Sequence, residues 1–444
     1  MERDAEVKRI LSQASAFGRR FDLEAVESAL RVAVLVAGAR ALEAVLRGVG
    51  CGRRSEPVVC ACGAEMRRTG LREKRLLTIL GEVSFTRSRY ACPKCGGSRY
   101  PGDEDLEVAG TSRSPGLRRM MARAGSRETF KEGREDLRVY AGITVSPKDV
   151  ERVAEKIGAE MEAWSAQERK ALIAAEAERG PRPLPKTIPL LYISYDGTGV
   201  PMVPAEVKGR KGKQEDGSAK TREAKLGCVF TQTATDEEGR PVRDPQSTSF
   251  VGAIETAETF GERIYAEALR RGLNSAAKVV VLGDGARWIR GLAELHFHQA
   301  THIIDLYHAR EHLAHLCKLL WPNDEKQVQR YRTRWWTDLE EGKVEKIIRE
   351  AQKEIPAPKA TAEKVRTEIN YLEENKERMR YADFREQGLF VGSGVVEAGC
   401  KTVIGKRLKQ SGMEWSVRGA NAVISLRCSF LSGRVEEFWE SRCA

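Results

Sequence analysis

Three carboxylates stand where hard divalent cations could be held. Asp196 follows the strand-forming run Leu190-Leu191-Tyr192-Ile193-Ser194-Tyr195, and Asp284 follows Lys278-Val279-Val280-Val281-Leu282-Gly283. Each precedes a glycine, Gly197 and Gly285. Each strand is therefore expected to end at its acid and leave the carboxylate at the carboxyl edge of a sheet, where α/β sites assemble. Glu397, in Gly392-Ser393-Gly394-Val395-Val396-Glu397, is expected about one turn into a helix whose glycine-rich start allows close approach to that sheet. Three such acids suit two Mg2+ or Mn2+ ions about 3.5 to 4 Å apart, which clamp the attacking and leaving oxygens of a phosphodiester. A lone aspartate after a strand is ordinary turn chemistry. Two matching edges and a glutamate make a site the better reading.

A second constellation is made of sulfur. Cys60 and Cys62 are paired, as are Cys92 and Cys95, and a strand-like stretch from Leu76 to Tyr90, broken at Gly81, joins the pairs. Four thiolates spaced this way read as a zinc ribbon holding a structural Zn2+, closed because no position is left for water. The Cys-x-Cys half is tighter than usual, and Cys51 is a conceivable substitute for Cys60. Cys228, Cys317, Cys400, Cys428 and Cys443 are isolated, as expected of reduced thiols in cytosol. All six histidines fall between His296 and His315, and His308, His312 and His315 have helical spacing. With no further ligand at metal-site spacing, these three read as lining a helix packed on the sheet.

Charge points to polyanions. Lys and Arg outnumber Asp and Glu by 75 to 64, a net charge of +11. Between Arg47 and Arg99 twelve basic residues face four acidic ones, in the segment that also holds the paired cysteines. Beyond Glu397, Lys401, Lys406, Arg407, Lys409 and Arg418 form a basic stretch near Trp415, suited to a DNA backbone if it lies beside the acids. A solvated basic face is the plainer alternative. No stretch approaches the roughly 20 apolar residues of a membrane-spanning helix, and the start lacks the order of a signal peptide, so a cytoplasmic protein without membrane partners is expected.

The elements that must position these groups fall into segments. Residues 1–50 have helical spacing, with Val26, Leu30, Val34 and Leu42 on the apolar positions. Residues 51–102 are the zinc-ribbon-like module. Residues 103–180 are helical, and Leu137 to Val153 has helix-turn-helix spacing with a turn at Gly142, a weak signal for DNA contact. A linker from Pro181 to Pro185 precedes α/β patterning over 186–308, where strand, helix and strand indicate parallel pairing. Lys208 to Lys225 reads as a mobile polar loop. Residues 309–386 are helical with Trp321, Trp335 and Trp336, and are expected to form an insertion before the α/β part resumes over 387–444.

The stretches YDGTGVP, GDGARWI, DLYHAREHL and GSGVVEAGCKTVIGKRLKQSGMEWS, in this order, closely resemble transposases of ISKra-type bacterial insertion sequences, a DDE class related to Mutator-like elements. The resemblance spans most of the chain. It implies an α/β RNase H-like catalytic domain with an all-helical insertion, behind an N-terminal half made of helical, zinc-ribbon and helix-turn-helix parts. Asp196, Asp284 and Glu397 fall on the metal-binding positions, and Asp305 and His308 on the D-x-x-H signature, in a supporting role. The expected activity is metal-dependent strand cleavage at terminal inverted repeats and joining of the freed 3'-hydroxyl to target DNA. Partners would be double-stranded element ends and target, with a homo-oligomer forming on DNA near the nucleoid. Two rivals remain: an RNase H-like nuclease or resolvase that cuts without joining, and a transposase-derived DNA-binding protein that has lost catalysis.

Overall fold

The computed structural model describes residues 22–179, 184–212, 214–356 and 358–442. Residues 1–21 of the N-terminal segment, Pro181 to Pro183 of the linker and Cys443 lie outside the described residues. The chain separates into two units, Met1–Ala154 and Glu155–Ala444. The division falls inside a helix, Pro147–Arg179, upstream of the proline-rich linker.

Among the described residues the first unit opens with α1 (Leu23–Val49), capped by the Asp22 side chain, which accepts from Ala25 N at 3.1 Å. Strands β1 (Arg67–Thr78) and β2 (Gly81–Ala91) form an antiparallel hairpin that turns at Gly81, and β3 (Ser98–Arg99) pairs with the end of β2. Leu76, Val83 and Phe85 of the hairpin pack on Ala39 and Leu46 of α1. Next come α2 (Pro115–Arg127) and α3 (Phe130–Ala141), the latter started by a capping box between Thr129 and Glu132. After Gly142 the chain enters α4 (Pro147–Arg179), so the two helices read from Leu137 to Val153 are present with a short turn between them.

The second unit is built on one five-stranded sheet. Its strands are β4 (Ile188–Pro201), β5 (Thr221–Gln232), β6 (Ser249–Ala253), β7 (Ala276–Gly283) and β8 (Thr301–Ile304). The order across the sheet is β8-β7-β4-β5-β6. The first three strands in sequence pair antiparallel, while β7 and β8 add to the other side of β4 in parallel. Helix α5 (Ala257–Arg270) leads into β7, and α6 (Arg287–His296) into β8. The expected parallel pairing is thus one half of a mixed sheet. Two strands, β6 and β8, have no clear signal in the sequence because each is only four or five residues long.

Both sheet faces are covered, which is why β4 and β7 read as continuous apolar runs rather than alternating ones. Leu191, Ile193 and Tyr195 meet Phe260, Ile264, Ile289 and Leu292 on one side. Tyr192, Val280 and Leu282 face the other, where α7 (Leu306–Leu320), α8 (Glu325–Glu340), α9 (Val344–Lys353), α10 (Lys359–Asn375) and α11 (Tyr381–Glu386) form the helical block expected over 309–386. Trp335 is fully buried in that block, and the core is continuous from the sheet through Leu313 and Leu316 to Ile347 and Leu372. The chain returns through α12 (Gly394–Gly399), which continues as a π-helical segment, Cys400–Gly405, into Lys406–Leu408. Two helices, α13 (Val417–Leu431) and α14 (Val435–Ser441), end the fold.

The polar stretch read as a mobile loop is shorter and more ordered than expected. Thr221 already begins β5, Lys211 and Ser218 form a bridge, and Gly212 N donates to Gly217 O at 2.9 Å. The reason is the length of the β4-β5 hairpin, whose pairing runs from Leu190↔Gln232 out to Pro201↔Thr221.

Candidate active site

The β4-β7 register runs to Ser194↔Leu282, and carrying it on by two residues sets Asp196 level with Asp284. The β7-β8 register ends at Gly283↔Ile304, so Asp305 comes level with Asp284 on the far side. Neighbouring strands lie about 4.8 Å apart. Three acids therefore stand in a row where the parallel strands stop, and Asp196 and Asp284 share the face covered by the helical block.

Asp284 sits at a strand end as expected. Gly285 follows with φ of +81°, a backbone state that glycine adopts without strain, and the turned chain lets Ala286 N donate to Asp284 Oδ1 at 2.8 Å. Asp196 differs from expectation: β4 does not end there but continues to Pro201, still paired with β5. It lies at the carboxyl edge only because β7 has already left its side. Gly197 makes no sharp turn. A methyl group there would stand 2.3 Å from Glu223 Oε1, so the glycine leaves room for the side chain lying across it.

Glu397 is in the first turn of α12, as its spacing suggested, and Ser393 Oγ donates to its Oε1 at 3.1 Å. Burial pushes the Asp196 carboxyl above its ordinary range, and the negative charges of Asp284 and Glu397 push the same way, against hydrogen bonds from Gly197 N and the Cys400 thiol. All three acids are partly accessible. Gly197 N, Ala286 N and Ser393 Oγ each engage one oxygen of Asp196, Asp284 and Glu397 respectively. Carboxylate oxygen is the donor type that Mg2+ or Mn2+ prefers, but among the described residues the three acids do not gather within the 4.8 Å that the cysteine ligand atoms reach.

Asp305 is a brace. It is 2% exposed, caps α7 by accepting from His308 N at 2.7 Å, and accepts with its other oxygen from Ser393 N. Its own N–H donates to Gly283 O, and Leu306 N donates to Val391 O. The approach to α12 is thereby tied to the ends of β7 and β8, and Ser393 passes that order on to Glu397. Tyr371 of α10 donates its hydroxyl to the Asp284 carbonyl at 3.1 Å. Neither Ser393 nor Tyr371 could be found from the sequence, because each acts only across elements distant in the chain.

The basic stretch divides. Lys401, Lys406 and Lys409 are exposed, and Lys409 Nζ donates to Thr198 on the extension of β4, two residues past Asp196. Arg407 is 0% exposed, with its guanidinium over the Trp415 ring at 5.0 Å. It is a core residue and not the surface cation its spacing suggested.

In the first unit, the Sγ atoms of Cys60, Cys62, Cys92 and Cys95 all lie within 4.8 Å of one another. Cys60–Cys95 and Cys62–Cys92 are each 3.5 Å apart, close to the ~3.8 Å edge of a tetrahedron with sulfurs ~2.3 Å from zinc. Backbone N–H groups of Cys95 and Lys94 draw the Cys92 thiol down to about 6. The sulfurs thus fit Zn2+. Cys51 is not part of the set; its Sγ lies 3.3 Å from Ser88 Oγ. Cys228, Cys317, Cys400 and Cys428 are buried free thiols. Among the described residues no helix is long and apolar enough to cross a membrane.

The uncharacterised protein family UPF0236 matches residues 249–440, which hold Asp284, Asp305 and Glu397 but not Asp196. A UPF0236 protein of Caldanaerobacter subterraneus subsp. tengcongensis is 23% identical over 367 residues, covering 80% of this chain and 67% of that protein. Its name joins eleven numbered designations.

Proposed function

We propose that this protein is a DDE transposase: it binds the terminal inverted repeats of an insertion sequence, cleaves DNA strands there and joins the 3'-hydroxyl ends to target DNA. The observation that carries the reading is the register that sets Asp196 level with Asp284 where the parallel strands stop, with Glu397 returning on α12 near enough for its charge to add to that of Asp284 on Asp196. An RNase H-like fold is the matching proposal. It is supported by three antiparallel strands followed by two parallel ones, with the helical block between the second acid and the third. The relative's name adds support, since eleven designations for one protein of one organism are what a self-copying gene leaves behind.

In this reading Asp196, Asp284 and Glu397 hold two Mg2+ or Mn2+ ions, which when bound activate the attacking oxygen and neutralise charge on the phosphate. The chain's own work is positioning. Asp305 and Ser393 fix the approach of Glu397, the Asp284 turn presents its carboxylate, and Lys409 beside Thr198 offers a phosphate contact. The cysteine set holds a structural Zn2+, and with the helices on either side of Gly142 it recognises element ends. The protein acts in the cytoplasm, at the nucleoid, and as a homo-oligomer on DNA, because two ends must be brought together.

The test is Mg2+- or Mn2+-dependent cleavage of the element's own ends, with joining scored on pre-cleaved ends. Wild type is expected to cut and join, and Asp284→Ala to lose at least about 10^3-fold. Equal activity in the two defeats the site assignment. Cutting without joining favours the nuclease, and binding without cutting favours the non-catalytic descendant.

A further inference from the structure

His308 and His312 stand one turn apart on α7, and their rings meet nearly at right angles, 77°, with centroids 4.8 Å apart. Their Nε2 atoms converge to 3.2 Å. The opposite nitrogens both face carboxylates: His312 Nδ1 is 2.6 Å from Glu368 Oε2, and His308 Nδ1 is 3.6 Å from Glu311. The hydrogen bond to Glu368 holds the His312 proton on Nδ1, which leaves its Nε2 lone pair aimed at the place that His308 Nε2 also faces. Two nitrogens each ~2.0 to 2.1 Å from a tetrahedral zinc would stand ~3.3 Å apart. The partnership of Glu368 with His312 is also the outer-shell arrangement that orients a metal-bound imidazole.

Glu368 is well placed for that role. Its side chain is 12% exposed, and it accepts from His315 Nδ1 at 2.9 Å as well as from His312. On its other side the His312 ring stacks on Tyr371 at 3.8 Å, the residue that donates to the Asp284 carbonyl. The pair is therefore braced on two sides and lies beside the acid rim.

We propose that His308 and His312 bind a divalent ion of the zinc class through their Nε2 atoms. The proposal does not rest on the transposase reading. Among the described residues no third thiol, imidazole or carboxylate joins the pair within metal-ligand range. The remaining coordination positions are open to water or to an oxygen of a bound ligand. Such a site binds more weakly than the closed cysteine set and exchanges its ion, and imidazole selects zinc, cobalt or nickel over the magnesium that carboxylates prefer.

The experiment is a Co2+ titration of the chelator-stripped full chain in excess Mg2+, which occupies the carboxylates. Bands from thiolate-to-cobalt charge transfer report the cysteine set, and weaker visible bands without charge transfer report nitrogen ligands. Wild type is expected to bind one equivalent more than His312→Ala, and His308→Ala to lose the same equivalent with its thiolate bands unchanged. Glu368→Gln should keep the equivalent and weaken its affinity about 10- to 100-fold. Zinc counted per chain should follow the same pattern. Unchanged thiolate bands and far-UV spectra certify the variants as folded, and the partly exposed His308 provides the milder substitution. If neither histidine variant changes the stoichiometry, the proposal is overturned, and the pair merely shares a proton.

Discussion

Cys60, Cys62, Cys92 and Cys95 come from the two ends of one hairpin, whereas Asp196 and Asp284 come from separate strands and Glu397 from a helix beyond the whole helical block. The cysteine cluster is assembled by local register, and loop closure over one hairpin costs little entropy. The acid rim exists only once β7 and β8 have docked beside β4 and the chain has returned through α12. The two also differ when no ion is bound. In the cysteine set Cys92 is drawn down to about 6 while Cys95 is pushed up, whereas burial, with the charges of Asp284 and Glu397 adding to it, raises Asp196. A cluster of thiols can be written into a short segment, but a rim of acids needs a fold that brings distant strands together.

The largest expected effect tests the local side of that contrast. Cys92→Ser should remove one zinc per chain and abolish the cooperative unfolding of the first unit, since structural zinc contributes on the order of 10 kcal/mol to such modules. Calorimetry with zinc analysis checks it, and an intact first-unit transition without zinc would break the comparison.

The acid rim should respond in the opposite direction. Because the native state binds the Asp196 proton more tightly than the unfolded chain, metal-free stability should fall as pH rises from the ordinary carboxyl value through the raised one, and stay lowered above it. At pH 7, Asp196→Asn should abolish cleavage yet leave the metal-free melting temperature unchanged or higher. A lower melting temperature would mean that the rim is not a place of stored repulsion.

The brace should cost stability of the usual sign. Asp305→Ala removes a helix cap and a charged hydrogen bond from a buried position and should destabilise by about 2 to 4 kcal/mol, measured by denaturant unfolding. Ser393→Ala, which spares the backbone bond, should lose only about 1 kcal/mol while still impairing cleavage. Equal losses from the two would deny Asp305 its bracing role.

The smallest effect separates two neighbours in the basic stretch. Lys409→Ala should change stability by less than about 0.5 kcal/mol but lower the salt dependence of DNA binding by about one unit of slope. Arg407→Ala should instead destabilise the fold, since that side chain is in the core. If Arg407→Ala changes only DNA affinity, the burial argument fails.

Much of the architecture could be read in advance where the signal is local. The Leu190–Tyr195 and Val279–Leu282 runs announce strands covered on both faces, the cysteine spacing announces a hairpin cluster, and the helical block appears as expected. The short strands β6 and β8 escaped because four or five residues carry too little pattern. Arg407 misled because a cation among cations looks exposed until the fold packs it under Trp415. The histidines, read as helix lining, lacked their partner because Glu368 lies on a different helix.

Residue types and spacing alone pointed to the candidate groups and to the longer strands and helices, because those follow from side-chain pattern and short-range geometry. Only the tertiary structure decided that Asp196 lies within a strand and not at its end, that Asp305 clamps Ser393, and that two imidazoles converge against a distant carboxylate. Each of these depends on register and packing between elements far apart in the chain, and neighbouring residues do not encode such distances.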